Sequence, residues 1–485
     1  MGRSRFFKPA CRAWMVLTTL GQFIGLFFVN LSSMAENIPL ELGTEKVGKL
    51  LKQYAMPAII AMTASSLYNM VDSIFIGQGC GPMAISGLAL TFPLMNLSAA
   101  FGTLVGVGGA TLISVLLGQK NYPVAKKVLS NVFILNVLVG ILFMAVALVF
   151  LNPILRFFGA SDATLPYARD YMIPILIGNV ITHLYFGLNS IVRVSGHPQK
   201  AMMATILTVT LNTILDPIFI FVFKMGIQGA AIATIISQFT AFVWIMRIIC
   251  DKREFLHLSR ETFGLDWGIA KRSLAIGMAP FLMNVASCFV VIFINNQFKR
   301  YGGDLAIGAY GIVNRLVFLF LMIVMGFNQG MQPIAGYNYG AKQYDRVLEV
   351  LNLTVKCALI VTCACFVVGM FFPRAAVSMF THDEELIGLA ARGFRITVAI
   401  FFIIGRQMVI TNFFQSIGLA NKAIFLSLSR QLIFLLPFLA ILPLWFGADG
   451  VWLSMPASDL AALVVSEIML ARLKKSFKKE QEAIA

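Results

Sequence analysis

Charge is scarce in this sequence. Of 485 residues, 12% are Asp, Glu, Lys or Arg and 59% are hydrophobic, where a soluble chain carries about a quarter charged residues. That excludes an ordinary soluble domain and points to a polytopic integral membrane protein. Acids are scarcer than bases: 22 Asp and Glu against 38 Lys and Arg leave a net charge of +16. The basic excess is spread over short loops, which argues against a nucleic-acid partner and for a role in membrane topology. Histidine (4) and cysteine (7) are sparse. Only Cys363 and Cys365 lie close together, inside an apolar stretch, so neither a metal-ligand spacing nor a disulfide framework is legible. The signatures HExxH, GxSxG and GxxxxGK[ST] are also missing, which argues against an enzyme and against a nucleotide-driven pump.

What the sequence has in abundance is apolar length. Polar loops divide it into twelve spans: 54–76, 84–117, 128–151, 171–192, 201–223, 229–249, 273–297, 306–339, 351–372, 394–418, 423–446 and 450–471. Each is long enough to cross a hydrocarbon core of about 30 Å. Alternate loops collect the bases, among them Lys46, Lys49, Lys120, Lys126, Lys127, Lys271, Arg272 and Lys342. This bias puts both termini of the bundle in the cytoplasm, as expected for a bacterial inner-membrane protein. Residues 1–33 break the pattern. They read as a signal-like or non-native extension, with translation expected to start at Met34, because either a cleaved signal or a thirteenth span would reverse the charge bias.

The spans repeat. GQKNYPVAKKVL at 118–129 matches GAKQYDRVLEVL at 340–351, and the same shift of 222 positions carries Gly196 onto Gly418 and Lys200 onto Lys422. The expected fold is therefore all-α, twelve transmembrane helices in two parallel six-helix repeats around a central cavity. Residues 46–250 form the N-terminal half, 251–272 a cytoplasmic linker, 273–471 the C-terminal half and 472–485 a basic cytoplasmic tail.

Ionisable residues at membrane depth are costly and mark functional sites. Asp72 (NMVDSIFIG) and Asp216 (LNTILDPIF) lie well inside spans 1 and 5. Their counterparts in the second half are Asn295 and, near Phe438, an apolar residue, so one half alone carries both charges. Asn212 and Asp216 are four apart and share a helix face. Pro217 lacks a backbone donor and frees the carbonyl of Thr213 one turn earlier. Together they make an oxygen-rich patch suited to a hard cation or a proton. Asp459 and Glu467 also lie in a span, as do three arginines. Arg430 is expected to snorkel toward the cytoplasmic interface. Arg315 and Arg406 either pair with an acid or line the cavity, with Gln329 and Gln332 beside them. His183 is expected to make an interhelical hydrogen bond.

The two-times-six repeat, NMVDSIFIG, LNTILDPIF, GIQGAAIATIIS in span 6 and QPIAGYNYGA at 332–341 resemble the multidrug and toxic compound extrusion family, over essentially residues 46–471. The likeness is to bacterial members with acids in the N-terminal half. The resemblance implies an antiporter that exports small amphipathic organic cations in exchange for Na⁺ or H⁺, with no permanently bound cofactor and no nucleotide. It implies an ion site of Asp72, Asn212, Asp216, Thr234 and the backbone of Ala230, and a bend at Pro57. A flippase for a lipid-linked precursor is the alternative function.

Overall fold

The computed structural model describes residues 41–80, 82–381 and 383–484; residues 1–33 lie outside them. The described residues contain helices and no strand. Among the described residues twelve helices or bent helix pairs follow one another: α1 (Val47–Cys80), α2 (Pro82–Gly118), α3 (Tyr122–Val149), α4, α5 (Pro198–Val222), α6 (Gly226–Ile249), α7 (Trp267–Gly303), α8 (Leu305–Gly340), α9 (Tyr344–Phe371), α10, α11 (Ala420–Phe446) and α12 (Ala448–Ile484). Nine of them, or eleven with the bent pairs α4 and α10, are long and apolar enough to cross a membrane. Two of them differ from the sequence expectation. α4 is a bent pair, Leu165–Ile177 and Asn179–Val194, at 57°; α10 is another, Glu384–Val398 and Phe401–Ser416, at 54°. Both begin before the apolar stretch does, which is why hydropathy alone placed their starts too late. The basic tail is not a separate segment, because α12 runs through it to Ile484. The linker ends early: Asp266 caps α7 by accepting from the backbone N–H of Gly268 (2.9 Å) and Ile269 (3.2 Å).

The repeat is visible in the backbone. Lys120 and Lys342, 222 apart, are both left-handed at φ 58°. The bend of α4 after Ile177 recurs in α10 after Val398, and the short helix Leu151–Phe157 recurs as Pro373–Ser378. Between α7 and α8 the chain turns at Gly303 (φ 70°, ψ −170°), a conformation that only glycine adopts without strain.

The core is forked. One large cluster draws on both halves, joining Leu50, Ile113 and Leu188 to Ile276, Ile334 and Phe413. Two further clusters are private. One holds Ile76, Leu88, Tyr171 and Ile227 of the N-terminal half, the other Phe298, Val313, Phe394 and Trp452 of the C-terminal half. The halves are thus fused at one end and separate at the other. The fused end depends on close backbone approach. A methyl group on Gly118 would lie 1.9 Å from the Tyr337 carbonyl oxygen, and one on Gly340 would lie 2.1 Å from that of Val115. These contacts are the same contact seen from each half. Toward the other end, Phe318 and Leu319 are exposed on the side of α8 that meets α1 deeper in, at Gly326 and Gln329, so the halves part there in a cleft.

Candidate functional site

Helices α1, α5 and α6 bring one polar cluster together inside the N-terminal half. Its members are almost sealed: Asp216 is 0% exposed, Asn212 1%, Asp72 6% and Thr234 6%. Asn212 Nδ2 donates to Asp216 Oδ1 (3.1 Å), one turn along the same face of α5, and to Thr234 Oγ1 of α6 (3.1 Å). Thr234 Oγ1 donates in turn to the Ala230 carbonyl (3.1 Å), so that backbone oxygen joins the network. The Asp72 carboxyl of α1 lies beside that of Asp216.

Pro217 has a visible local consequence. Without its N–H the α-ladder cannot continue, and residues Ile218–Val222 form a wider π-turn, closed by Phe223 N–H to the Ile218 carbonyl (2.9 Å). The widening falls directly after Asp216. Pro57 is buried within α1, which passes through it as one continuous helix. It lies 15 positions before Asp72, about 22 Å along the axis.

Three buried oxygens of this cluster have no hydrogen-bond partner: Asp72 Oδ1, Asn212 Oδ1 and Asp216 Oδ2. Buried acceptors are normally satisfied, and three orphans in one place mark a position made for something that donates or is positively charged. Among the described residues no three His, Cys, Asp or Glu side chains come together. Two carboxyls with neutral oxygens suit a proton or a hard monovalent cation better than a transition metal.

Two tyrosines complete the wall, and neither was singled out in the sequence. Tyr68 OH lies 3.3 Å from Thr234 Oγ1; its four-residue spacing to Asp72 was a legible signal. Tyr171, 2% exposed, lies near both aspartates, and comes from α4 with no local pattern to announce it.

The other singled-out residues go elsewhere. Gln332 is buried and donates to Thr111 Oγ1 of α2 (2.7 Å), and Gln329 meets Met62 Sδ of α1 (3.5 Å). Both therefore pack in the fused end instead of lining the open cleft, because α8 continues past the cleft floor. Arg430 does not snorkel. Its Nε donates to the buried Asp459 (2.6 Å), from a π-turn at Ser429–Leu435 that re-aims the side chain across to α12. Arg406 is ion-paired with Glu467, with NH2 to Oε2 at 3.0 Å, so it adds no free charge to the cavity. Arg315 is exposed on α8 and makes no ion pair with a described residue. His183, fully buried, lies 3.3 Å from Ser98 Oγ through Nε2.

A family model described as MatE matches residues 57–218 and 275–441, one block in each half. The chain belongs to the MatE family, the multidrug and toxic compound extrusion transporters. Among curated proteins it is similar to the multidrug export protein MepA of Staphylococcus aureus (strain N315), at 28% identity over 424 residues, covering 87% of this chain and 93% of that protein. MepA of Staphylococcus haemolyticus (strain JCSC1435) is 28% identical over 422 residues, with the same coverage. Among solved structures, a ligand complex of the MATE multidrug transporter DinF-BH is 36% identical, with TM-score 0.83, over 91% of this chain and 98% of that one. A MATE family multidrug resistance transporter in an outward-facing conformation superposes with TM-score 0.87 at 23% identity, over 92% and 100%; that likeness concerns the fold.

Proposed function

We propose that this transporter exports amphipathic, mostly cationic organic compounds in exchange for Na⁺ or H⁺, by alternating access. The observation that carries the coupling is the pair of adjacent buried carboxyls, each with one unpartnered oxygen and a third on Asn212 beside them. Two carboxylates in contact repel unless a proton or a cation sits between them. Uptake of either lowers the charge of the pair from −2 to −1, replaces the repulsion by a shared attraction and draws α1 toward α5 and α6. Release restores the full repulsion between two buried carboxylates, which favours water entry and separation of the helices. The ion thereby binds two arrangements of the N-terminal half with different affinity, which is the requirement for coupling.

The forked core supplies the second element. The fused end carries the Lys120 and Lys342 turns, so the charge bias assigns it to the cytoplasm and makes the open cleft outward-facing. The likeness to MepA and DinF-BH supports drug-like substrates. The test is dye efflux from proteoliposomes under an imposed Na⁺ or H⁺ gradient at matched membrane potential. Efflux driven by one gradient names the ion. Efflux that ignores both removes the antiport reading.

A further inference from the structure

Arg315 sits on a specific stripe of α8. Residues 315, 319, 322, 326 and 329 share one helix face. At its inner end this stripe packs on the opposite half: a methyl on Gly326 would lie 2.5 Å from Ile59 of α1, and Gln329 meets Met62. Followed outward, the same stripe emerges from the seam. Leu319 on it is 40% exposed, and the neighbouring Phe318 is 46% exposed. Arg315 therefore faces the cleft between the halves and not the lipid, where an unpaired guanidinium would be costly. The other arginines at comparable positions in the C-terminal half, Arg406 and Arg430, are neutralised by Glu467 and Asp459. Arg315 has no such partner among the described residues.

We propose that Arg315 reads an acidic group on the substrate, so that the preferred cargo is an amphiphile bearing a carboxylate or similar anion as well as its cationic centre. The inference rests on the export reading above and narrows its substrate class. An unpaired guanidinium repels a simple cation, and donates to a carboxylate in a fixed fork geometry. Phe318 and Leu319 beside it supply the apolar surface on which a planar amphiphile rests.

The test uses a matched pair of xanthene dyes, one with a free carboxylate and one with that group esterified, on the full-length protein in proteoliposomes. Wild type is expected to export the acid in preference to the ester. Arg315→Gln is expected to raise the KM for the acid roughly tenfold or more and to lower that for the ester, inverting the preference. Arg315→Lys, which keeps the charge, is expected to keep the preference. Dye binding to the purified variants, read by fluorescence polarisation, provides the same comparison if transport is impaired. An acid-to-ester ratio equal in wild type and Arg315→Gln, in transport or in binding, overturns this inference while leaving the export reading intact. Wild type that exports neither dye under either gradient overturns both.

Discussion

At the scale of single residues, the network around Asp216 assigns different jobs to neighbouring side chains. Asn212 bridges Asp216 to Thr234 with one amide, so it orients the carboxylate without carrying charge. Asn212→Ala is expected to weaken the coupling ion's affinity about tenfold, read as a rightward shift in the ion dependence of efflux with its maximum retained. The ion pair between Arg430 and Asp459 gives a different kind of prediction. Asp459 is almost fully buried whereas the Arg430 side chain is 28% exposed. Removing the arginine strands a dry carboxylate and removing the acid strands a partly wetted guanidinium. Arg430→Met is therefore expected to destabilise by about 3 kcal/mol, and Asp459→Asn by less. Thermal unfolding of the purified variants checks the order, and a larger loss for Asp459→Asn would contradict it.

At the scale of elements, the reciprocal glycine contact is where a small change acts far from the site. Gly118 and Gly340 each meet a carbonyl of the other half, so any side chain there wedges the fused end apart. Gly118→Ala is expected to shift the population toward conformations with that end open. Distances between spin labels on α2 and α8 would report the shift, and an unchanged distribution would contradict it. The loop between α4 and α5 forms a second tie. His197 Nε2 and Lys200 Nζ both reach Glu254, at 3.3 and 2.7 Å, joining α5 to the linker. Burial, and then the Lys200 charge, hold the His197 imidazole below its ordinary value of 6.5. The unfolded loop thus binds a proton more readily than the folded one, and the tie weakens as pH falls below about 6.5. Amide exchange over 250–258 is expected to accelerate on acidification in wild type, and less so in His197→Gln.

What the sequence disclosed follows the same physics. The repeat was legible because turn residues and glycines at a constant shift are local signals. Asp72 and Asp216 were legible because a carboxylate in an apolar run has few reasons to be there. The bends of α4 and α10 were not, since each break falls within a continuous apolar stretch, and neither Gly178 nor Ile400 stands out there. Tyr171 was not either, because its place beside the aspartates depends on how α4 packs, a long-range consequence that no window of sequence contains. Arg430 was misjudged for the same reason. Its partner lies 29 positions away on another helix, and a distance from the membrane surface says nothing about a partner.

At the scale of the whole molecule, the polar cluster sits wholly within one half, while the motion it must drive occurs between halves. The forked core links the two, because the N-terminal half has its own cluster around Tyr171 and Ile227 that can rearrange without disturbing the shared one. Asp216 therefore has to govern coupling without governing substrate affinity. The measurement that tests this most directly is gradient-driven dye efflux from proteoliposomes holding Asp216→Asn, run beside dye binding to the same purified variant. Efflux lowered at least a hundredfold with dye binding within about threefold of wild type is the predicted result. Efflux that still follows the imposed gradient in the variant would contradict the account.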